Sequence, residues 1–565
     1  MKFTRLASAV IMCTASLPIL AASYTVAELP TQNVSQNQYA ASIDDTGLIL
    51  TTAQNRFNPP IDLGLINFES ETIIANLTDI ESARVGNFNT EDYTFLANRA
   101  LTGARNSSLF TQQLSEFLAY KTDGTSFDYI NGFDTETEAL GGFAFSMETT
   151  PRDSVAGTHI IGNSVGPFRT IDHINTDGEN VQFVVSDFDQ RAFVQVSDAI
   201  TPLLPIEVTL GGSSTISSIN NNYVVAGAGS FSGSTSLTQG IENCADAEVR
   251  GDQPIEACHR SIYSVASGGS IVRRTGLWLQ RAHVWSLDVQ GNVLGTEAYG
   301  TLLTGEDQEL LGTSQAIDIN NADIAVGVSS VQVDLEDRVV FSTAASIFQN
   351  GEVTRVLAGD EFLPNSAIGI NDGGYIVGVQ AQIINQAQRS KMFVYNMNNE
   401  ELEFPIGFFA SSGTIPRSIN NNNLVVGAGD IEASSTTTRR SAAFIFDIEA
   451  KTFLNLNTLM TCEDQLEFNL IEAIDINENG DIVATAITKR PGRNVRGEAV
   501  QDDSGADIIV DTWVTLKLSP TGEAAQICTD DETVGLERKG ASTGLVLFAM
   551  LFGAAMFRRR QFVRN

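Results

Sequence analysis

The segment Asp475-Ile-Asn477-Glu-Asn479-Gly480-Asp481 places side-chain oxygens at alternate positions, with a glycine at the sixth. That order opens a calcium loop: oxygens two residues apart fold round one hard cation, and the glycine makes the sharp turn. The bidentate acid that an EF-hand requires at the twelfth position falls on Ala486, which excludes that motif. A shorter calcium-binding hairpin through Asp475, Asn477, Asn479 and Asp481 stays open. So does a plain turn, because the same place in other copies of the segment reads Asn-Asn-Ala-Asp or Asn-Asn-Asn-Leu. Calcium is the one cofactor for which the sequence offers a candidate.

Other reactive groups are sparse. The four histidines are His159, His173, His259 and His283, and His283 sits in a strand slot that Phe fills elsewhere. There is no nucleophile elbow, zinc-protease helix, phosphate loop or dinucleotide fingerprint. Acid pairs such as Asp187 and Asp189 carry little meaning in so acidic a chain. Of five cysteines, Cys13 lies in a leader and four remain: Cys244, Cys258, Cys462 and Cys528. An even number in an exported chain points to disulfides, with three pairings open. The expected pairs are Cys244 with Cys258, closing a local loop, and Cys462 with Cys528, tying the last repeat. No Cys-x-x-Cys is present, which argues against zinc.

The elements that position these groups are announced by a repeated phrase: Ile-Asn, a few polar residues, then a short β-branched run that in most copies ends in Gly. It occurs at Asn220, Asn320, Asn371, Asn420 and Asn477, and the last four are 51, 49 and 57 residues apart. Each Asn precedes a turn, where its side chain can bond its own backbone two residues on. About 20 residues later comes an alternating strand, as in Lys391-Met-Phe-Val-Tyr395 and Ala442-Ala-Phe-Ile-Phe446. Weaker copies centre on residues 44, 131 and 175. A period near 50 residues built from short strands indicates a β-propeller. The expected fold is all-β: a single propeller of seven or eight four-stranded blades. Tyr24 to Leu29 is expected to close the ring on the last blade. Helical spacing of apolar residues over about 90–121 predicts a small helical insertion. The long gap between Asn220 and Arg281 predicts a disulfide loop over about 230–270.

The ends read as addresses. Lys2, Arg5 and an apolar run form a signal peptide over 1–22. The propeller is expected over 23–530 and a linker over 531–540. Residues 541–557 are uncharged, long enough for a transmembrane or sorting helix, and are followed by a basic cytoplasmic tail over 558–565. The chain has 34 basic and 68 acidic residues; without the six bases of the two ends the body keeps 28 bases, a charge of −40. Such a surface repels nucleic acid.

The phrase Ala367-Ile-Gly-Ile-Asn-Asp-Gly-Gly-Tyr-Ile-Val-Gly378, with Ser441-Ala-Ala-Phe444 and Leu454-Asn-Leu-Asn-Thr-Leu459, resembles the extracellular HAF repeat, although its His is absent from every copy. The tail, with Gly540-Ala541-Ser542 and Gly544 before an apolar span and Arg558-Arg559-Arg560, resembles the GlyGly-CTERM sorting signals of Gram-negative bacteria. Together these resemble an uncharacterised family of exported bacterial proteins. The resemblance implies a propeller-like scaffold and carries no catalytic residue.

The function expected from the sequence is a non-catalytic, membrane-associated binding or structural protein of the cell envelope. It would face the periplasm or cell surface and take a protein or glycan ligand. The alternative is a propeller hydrolase or lyase acting on an extracellular polymer. A polar funnel bringing Asp or Glu together with Arg or His from different blades would favour that alternative.

Overall fold

The computed structural model describes residues 22–526 and 528, apart from 31–32, 103–111, 268–269, 274–275, 304, 306–311, 336–337, 359–362 and 434–438. The expectations for the signal peptide, for the linker over 531–540, for 541–557 and for 558–565 fall outside the described residues, save Ala22. Among the described residues no helix is long and apolar enough to cross a membrane.

Seven four-stranded antiparallel sheets form the blades of one propeller. Their strands lie within 35–130, 149–203, 214–298, 314–355, 365–403, 414–455 and 469–524. The first strand of each blade packs against the first strands of both neighbours, and Ser35–Ile43 meets Asn469–Ile476 to close the ring. The seventh blade is completed from the far end of the chain. Ala22–Glu28 pairs antiparallel with Ile509–Ala524, setting Val26 opposite Leu518. Ring closure therefore joins the two ends of the propeller segment, which gives the last sheet its outer edge.

The repeated glycine has a steric cause. Each first strand carries a bulge near its turn, between Ala367 and Gly369 in blade 5 and between Pro416 and Ser418 in blade 6. The bulged backbone approaches the second strand so closely that a Cβ at Gly427 would lie 2.1 Å from the Ile415 carbonyl oxygen. On the other side the third strand lays an aromatic ring over the same glycine. Phe193, Phe393 and Phe444 stand opposite Gly162, Gly378 and Gly427, and His283 takes this place opposite Gly227. Those Phe rings are fully buried, and the core is divided into slabs between neighbouring blades. One slab joins Met392 and Val394 of blade 5 to Val425, Phe444 and Phe446 of blade 6.

Four expectations are refined or corrected. The blade count is seven. Asn131 only follows the outer strand Asp128–Ile130, and residue 175 tips a separate hairpin, Phe168–Ile174 with Asn180–Ser186, inserted within blade 2. An Asn-led turn closes any hairpin, so the local phrase does not distinguish a blade from an insertion. Blade 2 turns through Val155–His159 without an asparagine. The insertion in blade 1 holds helices Glu71–Asn76, Ile80–Arg84 and Thr90–Thr102, while Phe117–Thr122 is the third strand of that blade. Leu118, Ala119 and Tyr120 are all buried there, and a short continuous apolar run satisfies both helix and strand spacing. The segment expected as a loop over about 230–270 is largely helical, with Thr235–Ala245, Ala247–Arg250 and Ile255–Tyr263. The Ser234 hydroxyl caps the first of these through the Leu237 amide.

A candidate binding site in the central channel

The first hairpins turn at the same end of the ring, and in blades 3 to 7 the turn asparagine bonds in two directions. Asn220 Oδ1 accepts from the amides of Asn222 at 3.0 Å and Val224 at 2.9 Å, closing its own turn. Its Nδ2 donates to the Asn320 carbonyl of the next blade at 2.8 Å. The pattern repeats from Asn320 to Asn371, Asn371 to Asn420, Asn420 to Asn477, and Asn477 to Asp44, at 3.0–3.2 Å. Asp44 accepts from the Gly157 amide at 2.7 Å and so extends the relay into blade 2.

A second relay runs one residue further out. The amides of Asn221, Asn321, Asp372, Asn421 and Glu478 each donate to the side chain at the matching position on the following blade, ending at Asp45. These outer residues ring the channel mouth, half-buried at Asn321 and exposed at the others. Burial pushes the Glu478 carboxyl up, and the charges of Asp45 and Asp372 add to the shift.

Below the mouth, the bulge position of each first strand faces the channel. It holds Ser42, Asp153, Ser218, Asp318, Gly369, Ser418 and Asp475 in blades 1 to 7. Each Asp reaches across to the next blade. Asp153 Oδ2 accepts from the Ile219 amide at 3.0 Å, Asp318 Oδ2 from Ile370 at 2.8 Å and Asp475 Oδ2 from Ile43 at 2.9 Å. The Ser218 hydroxyl donates to Asp318 Oδ1 at 2.7 Å. Depth within the ring pushes all three carboxyls up, Asp318 to about 6, against the pull of these hydrogen bonds. The neighbouring charges of Asp475 and Asp318 push Asp153 further up. All three keep partial access to water through the channel.

Two cavities meet at this waist. The one on the turn side has a volume of about 260 Å³, and the one on the opposite side about 470 Å³. Arg152 and Arg417 line the second, and Arg417 Nε pairs with Glu472 Oε1 at 2.5 Å.

The residues proposed for calcium take separate paths. Asp475 faces the waist, and Asn477 Oδ1 is bonded by the amides of Asn479 and Asp481. Asn479 donates to the Asp45 carbonyl, and Asp481 pairs with Lys517 at 2.8 Å. Among the described residues no group of three His, Cys, Asp or Glu side chains is set to hold a metal ion. The histidines are scattered as well. His159 stacks on Tyr223 and His283 on Trp285, His173 bonds Asp252, and His259 lies on the helix Ile255–Tyr263. Cys244 and Cys258 form a disulfide between two helices of the insertion, with Cα atoms 5.7 Å apart. Cys462 and Cys528 are also disulfide-bonded. Disulfides mark an oxidising compartment.

A family model matches residues 2–560. The chain belongs to the DUF3466 family, described as proteins of unknown function. No curated protein matches it. Several solved structures are similar to this DUF3466 chain at low identity. TolB from Acinetobacter baumannii is 8% identical, covering 67% of this chain and 80% of its own, with a TM-score of 0.27. The β-propeller domain of the Trilobed protease from Pyrococcus furiosus is 10% identical over 69% of this chain and 97% of its own, with a TM-score of 0.26. The phage phi92 endosialidase is 9% identical over 92% and 72%, with a TM-score of 0.33. At scores this low the likenesses bear no weight on function.

Sequence reasoning passed over the waist residues of this DUF3466 chain except Asp475, which it read as a calcium candidate. Their signal lies two places before the repeated Asn, where Ser218, Asp318, Gly369, Ser418 and Asp475 are all small or acidic. It also passed over the role of a base within several third strands. The buried Lys391 ammonium donates to the carbonyls of Ile406 at 2.7 Å and Ser412 at 2.9 Å, and Arg191 and Arg281 bond the Gly211 and Gly312 carbonyls in the same way. Each pins the loop that leads into the next blade.

Proposed function

We propose that this chain is a non-catalytic binding protein of the bacterial cell envelope that takes its ligand at the turn-side mouth of the propeller channel. One observation carries the reading: the acids and amides around the channel bond from blade to blade in an almost unbroken relay. A catalytic centre needs instead a nucleophile or proton donor held against a base and open to substrate. The channel residues are arranged as a scaffold whose exposed rim is left to meet a partner. The apolar segment over 541–557 and the arginines after it would hold this body at the envelope, facing away from the cytoplasm.

The enzyme reading keeps one specific support. Asp153, Asp318 and Asp475, with raised pKa values, share one funnel with Arg152, Arg417 and Glu472 from different blades. Raised carboxyl pKa values suit acid catalysis. None of the four imidazoles lines either cavity.

Ala156, exposed at the tip of the blade 2 turn, lines the mouth. Ala156→Trp narrows the mouth while leaving the relays intact. Glycans and small ligands that raise the melting temperature of the wild type should lose that effect in the variant. Equal stabilisation of both proteins would place binding away from the channel.

A further inference from the structure

The waist relay is interrupted at blade 5, where Gly369 has no side chain, and again between Ser42 and Asp153. Ser218 donates to Asp318 on the following blade, and Ser418 supplies the same kind of bond to Asp475. Ser42 holds the equivalent place before Asp153, yet its hydroxyl, on a residue 3% exposed, has no hydrogen-bond partner. Ser154, 5% exposed and lining the turn-side cavity, also has a hydroxyl without a partner. Asp153 accepts one hydrogen bond on each oxygen, from Ile219 and Ser154 amides, where a carboxylate offers about four acceptor positions. A buried hydroxyl and a half-buried carboxylate are thus left short of donors at the same level of the channel, a costly arrangement unless a ligand supplies them.

On the turn side the charge is one-sided too, while Ser42, Arg152 and Arg417 line the cavity on the other side of the waist. The turn-side cavity is lined by seven carboxylates and, among the described residues, no basic side chain. Asp44 is taken up by the Gly157 and Leu48 amides, and the other six stand in two tiers, Asp45, Asp372 and Glu478 at the rim and Asp153, Asp318 and Asp475 at the waist. Glu478 is three residues beyond Asp475, so the tiers are at most roughly 10 Å apart along the chain. Acids lining a low-dielectric funnel raise the local concentration of cations. Because no three of them converge on a chelating centre, the fit is poor for a dehydrated metal ion. Separated tiers of acceptors suit a flexible ligand with several separated N–H-bearing charges.

We infer that the channel binds a linear aliphatic polyamine, with one ammonium at the waist between Ser42, Asp153 and Asp475 and another at the acidic rim. This rests on the binding-protein reading and names the ligand class for the same site. The ammonium donates to the Ser42 hydroxyl oxygen and to the free positions of Asp153, and so bridges the interruption between them. The burial that pushes these carboxyls up is relieved when a cation sits among them.

The test is calorimetric titration of the full chain with spermidine at neutral pH and constant ionic strength, with calcium and magnesium chloride as comparators. Saturable spermidine binding is expected, weakened about tenfold by Asp153→Asn and about tenfold by Ser42→Ala, the weight of one hydrogen bond to a charged group. Ser42→Ala removes a hydroxyl that bonds nothing in the fold, so it guards against a misfolded Asp153 variant. Asp502→Asn, on an exposed loop of blade 7, should leave binding unchanged. No saturable spermidine binding, or binding that both waist variants retain, overturns the proposal. Binding of calcium or of a neutral glycan in place of spermidine overturns it too, while leaving the binding-protein reading in place. Consumption of spermidine would overturn that reading itself.

Discussion

At the scale of single residues, the repeated asparagine is a joint between blades. Asn371 is 3% exposed; its Oδ1 accepts from the Tyr375 amide, and its Nδ2 donates to the Asn420 carbonyl and Asn423 Oδ1. Asn371→Ala leaves those groups short of partners and should cost about 2–3 kcal/mol, measured by urea unfolding. Asp318 gives a signed pH effect. Its carboxyl is raised from 3.8 to about 6 in the fold, so the folded state holds the proton more tightly than the unfolded chain. That contribution is complete below about pH 3.8 and is lost as pH rises through about 6. Asp318→Asn keeps an acceptor for the Ile370 amide and removes the titration. Between pH 4 and 7 the wild type should lose about 1–2 kcal/mol more than the variant, after allowing for screening by channel water. The turn role of Asn371 was legible in the sequence, because an Asn before a hairpin bonds its own backbone. Its bond to the next blade was not, since the partner lies 49 residues away and is a main-chain carbonyl.

At the scale of elements, the glycine that ends the repeat phrase lies between a bulged strand and an aromatic ring. A Cβ at Gly427 would stand 2.1 Å from the Ile415 oxygen and 3.0 Å from the Phe444 ring. Gly427→Ala should therefore destabilise by about 1–3 kcal/mol, whereas Gly295→Ala, on an edge strand with open space around it, should be near neutral. Thermal unfolding of both variants checks the contrast. The helical insertion of blade 3 depends on its cross-link. Replacing Cys244 and Cys258 with Ser should weaken that insertion by about 3 kcal/mol and expose Arg250 to trypsin, while the ring unfolds at its usual midpoint. Strand existence was legible from alternation and period, and element type failed where an apolar run such as Phe117–Thr122 was too short to separate the two periods. The waist acids Asp153 and Asp318 escaped notice for a different reason. Aspartate is abundant in this chain, and only the bulge, which turns one side chain per blade inward, sets Asp153 and Asp318 apart from the rest.

At the scale of the molecule, closure by Ala22–Glu28 makes one cooperative ring out of seven blades. Deleting these residues uncovers the edge of Ile509–Ala524 along its pairing with the first strand, and an open edge of that kind recruits other chains. The shortened protein should melt earlier and aggregate, as light scattering during a thermal ramp would report. Truncation after Lys539 tests the proposed address. The truncated body, rich in acid, should fractionate as soluble while the full chain stays with membranes, and equal solubility of the two would remove the membrane role of 541–557. The central claim is that this ring binds without reacting, and turnover tests it most directly. The wild type and an Asp153→Asn, Asp475→Asn double variant should be incubated with a broad panel of extracellular polysaccharides and esters, and products measured against a protein-free blank. The account predicts no product above the blank from either protein. Turnover by the wild type that disappears in the double variant would contradict it and make the channel a catalytic funnel.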